Sequence, residues 1–68
     1  MFTAEWLKSG SPVHKEALLG GTIEDALKLA RTMTPMARQA SGVEPDSIRI
    51  TDRMTDQAVV EDIGQPHI

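Results

Sequence analysis

The sequence predicts an α+β fold in the order ββαββ: a small antiparallel or mixed sheet with one helix packed on one face. Three observations carry this. Apolar–polar alternating runs stand near both ends of the chain, at residues 2–8 and 47–51. A wide apolar arc at helical spacing fills the middle, from Thr22 onward. Breaks rich in Gly, Ser and Pro separate the runs.

Residues 2–8 read FTAEWLK, with Phe2, Ala4 and Trp6 at period two and Thr3 and Glu5 between them. That suits a half-buried strand, although Leu7 breaks the alternation. Ser9-Gly10-Ser11-Pro12 ends the run as a turn. Residues 13–19 read two ways. As a strand they set Val13, Ala17 and Leu19 on one face, interrupted by Lys15, and His14, Glu16 and Leu18 on the other. As a helix they have Ser11 as N-cap, Pro12 at the first position and Gly20 as the stop. The strand is preferred, because a hairpin with residues 2–8 gives the sheet enough strands to be stable.

Gly20-Gly21 frees the backbone to turn. Thr22 followed by Asp25 three residues later marks a helix start, and the carboxylates of Glu24 and Asp25 oppose the positive end of the helix dipole. Ile23, Ala26, Leu27 and Ala30 make one stripe; Leu29, Met33, Met36 and Ala40 make a second beside it. Pro35 interrupts this helix and predicts a kink or a break, with Thr34 as the cap of whatever follows. Ser41-Gly42 stops it. Ile48 and Ile50 alternate with Arg49 as a third strand, and AVVEDI at residues 58–63 makes a fourth. Residues 1–63 read as one domain and residues 64–68 as a flexible tail.

These elements resemble those of small uncharacterised bacterial proteins of a ββαββ type. The matching residues are Trp6, the stretch Thr22-Ile23-Glu24-Asp25-Ala26-Leu27-Lys28-Leu29-Ala30-Arg31, and Ser47-Ile48-Arg49-Ile50-Thr51-Asp52 followed by Val59-Val60-Glu61-Asp62. The resemblance spans residues 2–63 and rests on structural motifs. It implies a single unbroken helix and a glycine in the last hairpin turn. This chain departs on both points, with Pro35 in the helix and no glycine in residues 52–57. The resemblance implies no catalytic residue.

Composition narrows the classes of function. Leu, Ile, Val and Phe number 15 of 68 residues, just above the range where disorder becomes the default. A core this thin is often completed by a partner chain, so a homodimer or an unidentified protein partner is expected. Without cysteine there is neither a disulfide framework nor a thiolate metal site. The chain opens with no basic stretch before a long apolar run, and no segment approaches the roughly 18 apolar residues of a membrane span. A cytoplasmic protein without membrane contact is expected. Residues 1–40 carry five basic and four acidic groups, and residues 41–68 carry two and six, for a net charge of -3. The acidic second half argues against a general nucleic-acid binder.

Candidate chemistry is sparse. His14 and Glu16 share a face if residues 13–19 are a strand, a pairing suited to a general base with its orienter or to two metal ligands. No third ligand accompanies them, and an incidental ion pair explains them better. Asp52, Asp56, Glu61 and Asp62 suggest a cation site, but the calcium-loop test fails, with Met54, Gln57 and Ile63 at the third, sixth and twelfth positions. Turn capping by Asp52 and Asp56 is the simpler account. Lys28, Arg31 and Arg38 make a face able to meet phosphate, without interleaved aromatics, and Glu24 one turn before Lys28 offers an ion pair instead. Met33, Met36 and Met54 suit either a soft binding surface or core filling. Gly20-Gly21 lacks the rest of a phosphate-binding fingerprint. No cofactor or metal is implied.

The expected function is therefore non-catalytic: a small interaction or self-associating module using its sheet, with Trp6, Leu7, Leu18 and Val59 as the interaction surface. Weak nucleic-acid binding through Lys28, Arg31 and Arg38 is the alternative.

Overall fold

The computed structural model describes residues 1–63. In chain order the elements are β1 (Phe2–Lys8), β2 (Ser11–Leu18), α1 (Ile23–Thr32), α2 (Thr34–Ser41), β3 (Ser47–Asp52) and β4 (Ala58–Asp62). The fold is α+β. One four-stranded sheet has the order β2-β1-β3-β4 and is antiparallel throughout. The flexible tail expected for residues 64–68 lies outside the described residues.

Alternation in β1 sends Phe2, Ala4 and Trp6 to the helix side, where they join Leu18, Ile48 and Ile50 from the sheet and Ala26, Ala30 and Ala37 from the helices. The three buried helix residues are all alanine, so α1 and α2 approach the sheet closely and the large side chains of the core come from the strands. Among the described residues, the opposite face of the sheet carries no helix. Across it, Glu5 of β1 stands between Lys15 of β2 and Arg49 of β3, and Arg49 opposes Val60 of β4.

The ambiguous stretch resolves to strand through Leu18, with Leu19 just beyond the end of β2. The β1–β2 turn has Ser9 at φ 53° and Gly10 at φ 83°, the paired positive angles of the tight hairpin turn whose twist matches its strands. Asp46, arriving from the α2–β3 link, accepts the Ser9 N–H at 3.0 Å through its carboxylate, and this bond holds the Asp46 carboxyl below its ordinary range. The register shifts between Trp6 and Leu7, which oppose His14 and Pro12, so Val13 is the extra residue of a β-bulge. Val13 packs on the core cluster, which no strict alternation along β2 would allow.

The single helix of the expectation is corrected to two. Thr22 caps α1, its hydroxyl accepting the Asp25 N–H at 3.1 Å. The helix ends at Met33 (φ -86°, ψ -3°), whose N–H reaches the Leu29 and Ala30 carbonyls at 3.0 and 3.1 Å. Pro35 has no N–H to continue the ladder and sits in the first turn of α2. Met33, rather than Thr34, is the cap residue. Thr34 is used differently: its hydroxyl donates to the Ala30 carbonyl and accepts from Trp6 Nε1, both at 3.1 Å. The broken joint is thus tied to the central strand. Gly42 closes α2 in the left-handed region (φ 72°) with its N–H on the Arg38 carbonyl at 2.9 Å.

The β3–β4 loop achieves its turn without glycine. Asp52 accepts the Met54 N–H at 2.9 Å through its side chain, and Asp56 donates its N–H to the Asp52 carbonyl at 2.8 Å. Asp56 takes the positive φ (61°) where a glycine would ordinarily stand. Asp52 therefore caps the turn with its side chain, as expected, whereas Asp56 shapes it through its backbone conformation rather than as a cap.

Candidate interaction surface

Three of the four residues expected at an interaction surface are covered by the chain itself. Trp6 is fully buried, with Nε1 on Thr34 and its ring 5.4 Å from that of His14, and Leu18 is buried in the same core. Leu7 lies on the helix-free face but is also buried, between Pro12 and Ser47 on the neighbouring strands. For Trp6 and Leu7 the cause is the strand order, since β1 is an inner strand flanked on both sides; Leu18, on the outer strand β2, is covered within the core cluster shared with the helices. Val59 is the exception. It sits on β4, at the edge, and is 40% exposed.

The other candidates are placed as follows. His14 Nε2 and Glu16 Oε1 meet at 3.2 Å on the helix side of β2, and no third His, Cys, Asp or Glu joins them among the described residues. Arg31 of α1 pairs with Glu61 of β4, and Arg38 of α2 pairs with Glu44 of the α2–β3 link. Two of the three cations expected to face phosphate therefore have carboxylates on them. With Thr34 and Pro35, these pairs line a groove of about 520 Å³ between the helix joint and the end of β4. Met33 is half-buried against the core, whereas Met36 on α2 and Met54 in the β3–β4 loop are exposed on separate elements.

The helix-free face is organised by charge. Glu5 accepts from Arg49 Nε and Nη2 at 2.9 Å, and its side chain is only 15% exposed. The Arg49 hydrogen bond lowers the Glu5 pKa from its ordinary 4.5, and the charges of Arg49 and Lys15 add to this. A group whose folded pKa is depressed stabilises the fold above its unfolded value and loses that contribution as pH falls through the folded value. Arg49→Met should therefore cost about 1 kcal/mol at neutral pH. The difference from wild type should close below pH 4.5, as Glu5 protonates. Urea titrations at neutral and acidic pH measure it. An equal cost at both pH values would mean that the Glu5–Arg49 charge pair is not the source of the loss.

The edges of the sheet differ. The outer strand β2 has Pro12, which lacks an N–H, the bulge at Val13, and Lys15; each discourages pairing with another chain. The outer strand β4 has no proline, bulge or lysine, and its two charges, Glu61 and Asp62, stand together at its C-terminal end. Its Ala58, Val59 and Val60 are all exposed, Val60 to 59%. Two backbone bonds fix which way its groups point. Asp52 N–H to Gln57 O (2.7 Å) and Ile63 N–H to Asp46 O (3.0 Å) continue the β3–β4 register at either end. Hydrogen-bonded pairs alternate in an antiparallel ladder, so Val59 and Glu61 bond to β3. Ala58, Val60 and Asp62 then turn their N–H and C=O groups outward. Among the described residues no strand receives them.

No helix among the described residues is long and apolar enough to cross a membrane. Comparison of the chain with family models, with curated proteins and with solved structures gives no match.

Proposed function

We propose that this chain is a small non-catalytic interaction module, and that it binds by accepting an extended segment of another chain as a further strand on β4. The observation that carries the reading is the contrast between the edges: β2 is blunted, while β4 presents outward backbone groups flanked by exposed valines. Four ion pairs, Glu5–Arg49, Arg31–Glu61, Arg38–Glu44 and His14–Glu16, support it by engaging the side chains that the sequence offered as candidate chemistry at His14, Glu16, Arg31 and Arg38. The phosphate-binding alternative through Lys28, Arg31 and Arg38 ranks below it, since Glu61 and Glu44 bring negative charge to that face.

Peptide display on the immobilised protein tests this reading. Extended peptides with alternating apolar residues should be enriched on wild type and lost on Val60→Pro, which removes an outward N–H. Equal enrichment on both proteins would overturn it.

A further inference from the structure

We infer that the segment received on β4 is the β4 strand of a second copy of this chain, paired antiparallel about a two-fold axis at Val60. This rests on the reading of β4 as the docking edge and adds the occupant and the register.

The outward backbone groups of β4 set the pairing. Ala58, Val60 and Asp62 carry them, so these residues must form the hydrogen-bonded pairs of any ladder built on this edge. In a two-fold pairing of β4 with itself, centring on Val60 sets Val60 opposite the partner's Val60. It also sets Ala58 opposite the partner's Asp62 and Val59 opposite the partner's Glu61. Every residue of β4 is then paired, and no like charges stand opposite each other. Sliding the axis toward the C-terminal end, to Glu61 or Asp62, places Glu61 against the partner's Glu61 or Asp62 against the partner's Asp62. Like charges directly opposite are destabilising. Sliding it the other way, to Val59 or Ala58, runs the pairing into Gln57 and Asp56, and Asp56 at φ 61° is no longer strand. The sequence of β4, apolar at its start and acidic at its end, thus pairs over its full length with its own reverse in this register without opposing like charges.

That register joins two sheets into one of eight strands, with both pairs of helices on the same side. On the helix-free face, Val60 meets the partner's Val60, capping the end of the Lys15–Glu5–Arg49–Val60 row. On the helix side, Val59 lies against the partner's Glu61, whose carboxylate the same copy's Arg31 holds. The contact is one strand wide, below the area of a tight dimer, so the association is weak and concentration-dependent.

Sedimentation equilibrium from micromolar to millimolar protein tests the inference. The apparent mass of wild type should rise from 7.4 kDa toward twice that value. Val60→Pro keeps every bond to β3, because the N–H it removes points outward. It should weaken association roughly tenfold or more. Val60→Lys retains the N–H, sets two ammonium groups across the axis, and should weaken association as well. It keeps the test valid if Val60→Pro unfolds.

The register has its own readout, since the chain has no cysteine. In a glutathione buffer Val60→Cys should form a disulfide dimer, because hydrogen-bonded partners lie about 5.5 Å apart. Ala58→Cys should not, its counterpart lying four residues along, roughly 13 Å away. Equal cross-linking of the two variants would overturn the register. Wild type that stays monomeric at millimolar concentration would overturn the second copy as occupant, and would leave the docking edge to stand or fall by peptide display. Association unchanged in Val60→Lys and in a folded Val60→Pro would overturn β4 as the docking edge altogether.

Discussion

Trp6→Ala should leave the chain largely unfolded at room temperature. Truncating a buried tryptophan costs about 3–5 kcal/mol. A domain of 68 residues has about 3–10 kcal/mol in total. Trp6 is fully buried on the central strand, and it is also the link between the sheet and the helix joint through Thr34. Two smaller changes separate these contributions. Trp6→Phe keeps most of the packing and loses the Nε1 bond, while Thr34→Val leaves Nε1–H buried without a partner. The second should cost about 1–3 kcal/mol, and the double variant should cost less than the sum. Far-UV circular dichroism in urea measures all four proteins, since the chain has no second tryptophan to report by fluorescence. A Trp6→Ala protein that unfolds with wild-type midpoint would show that the joint and the sheet are held by other contacts.

Trp6 also marks how much of the fold the residues announce. Its place on the inner face of a strand is legible from Phe2, Ala4 and Trp6 at period two, because alternation is a local property. So are the Thr22 cap, the Gly42 stop and the Ser9-Gly10 turn. Its status as core rather than interface is not legible. That depends on β1 lying between β2 and β3, which is decided by pairings with residues more than forty positions away. The same limit applies to charge. Glu24 precedes Lys28 by one turn and invites a local pair, yet the partners the structure gives the neighbouring arginines are Glu61 and Glu44. Glu61 comes from a strand thirty residues on. Val13 fails for a different reason: a bulge inserts one residue, and any periodic reading of β2 across it assigns the wrong face. Pro35 announces an interruption, but not that Thr34 is diverted from capping to bridge Trp6 and Ala30.

Ile50→Ala should cost about 2–5 kcal/mol, whereas Val59→Ala, its direct partner across the β3–β4 ladder, should cost the monomer well under about 1 kcal/mol. The two side chains lie on the same face of adjacent strands. Burial separates them: Ile50 is fully buried and Val59 is 40% exposed. Truncating Ile50 opens a cavity among Trp6, Ile48 and the helix alanines, and the close approach of α1 leaves little room for collapse. Truncating Val59 removes contacts from one side of a residue already half in water. Urea midpoints of dilute protein measure both. If Val59→Ala proves as costly as Ile50→Ala, β4 is simply part of the core and its edge is incidental. If the costs diverge as expected, the apolar residues of β4 are not explained by the stability of the isolated chain. Strands at a free edge are ordinarily kept polar or charged, because exposed valines there invite pairing with other chains. A strand that adds little to the monomer and still keeps Ala58, Val59 and Val60 in solvent would support the reading of β4 as a docking edge.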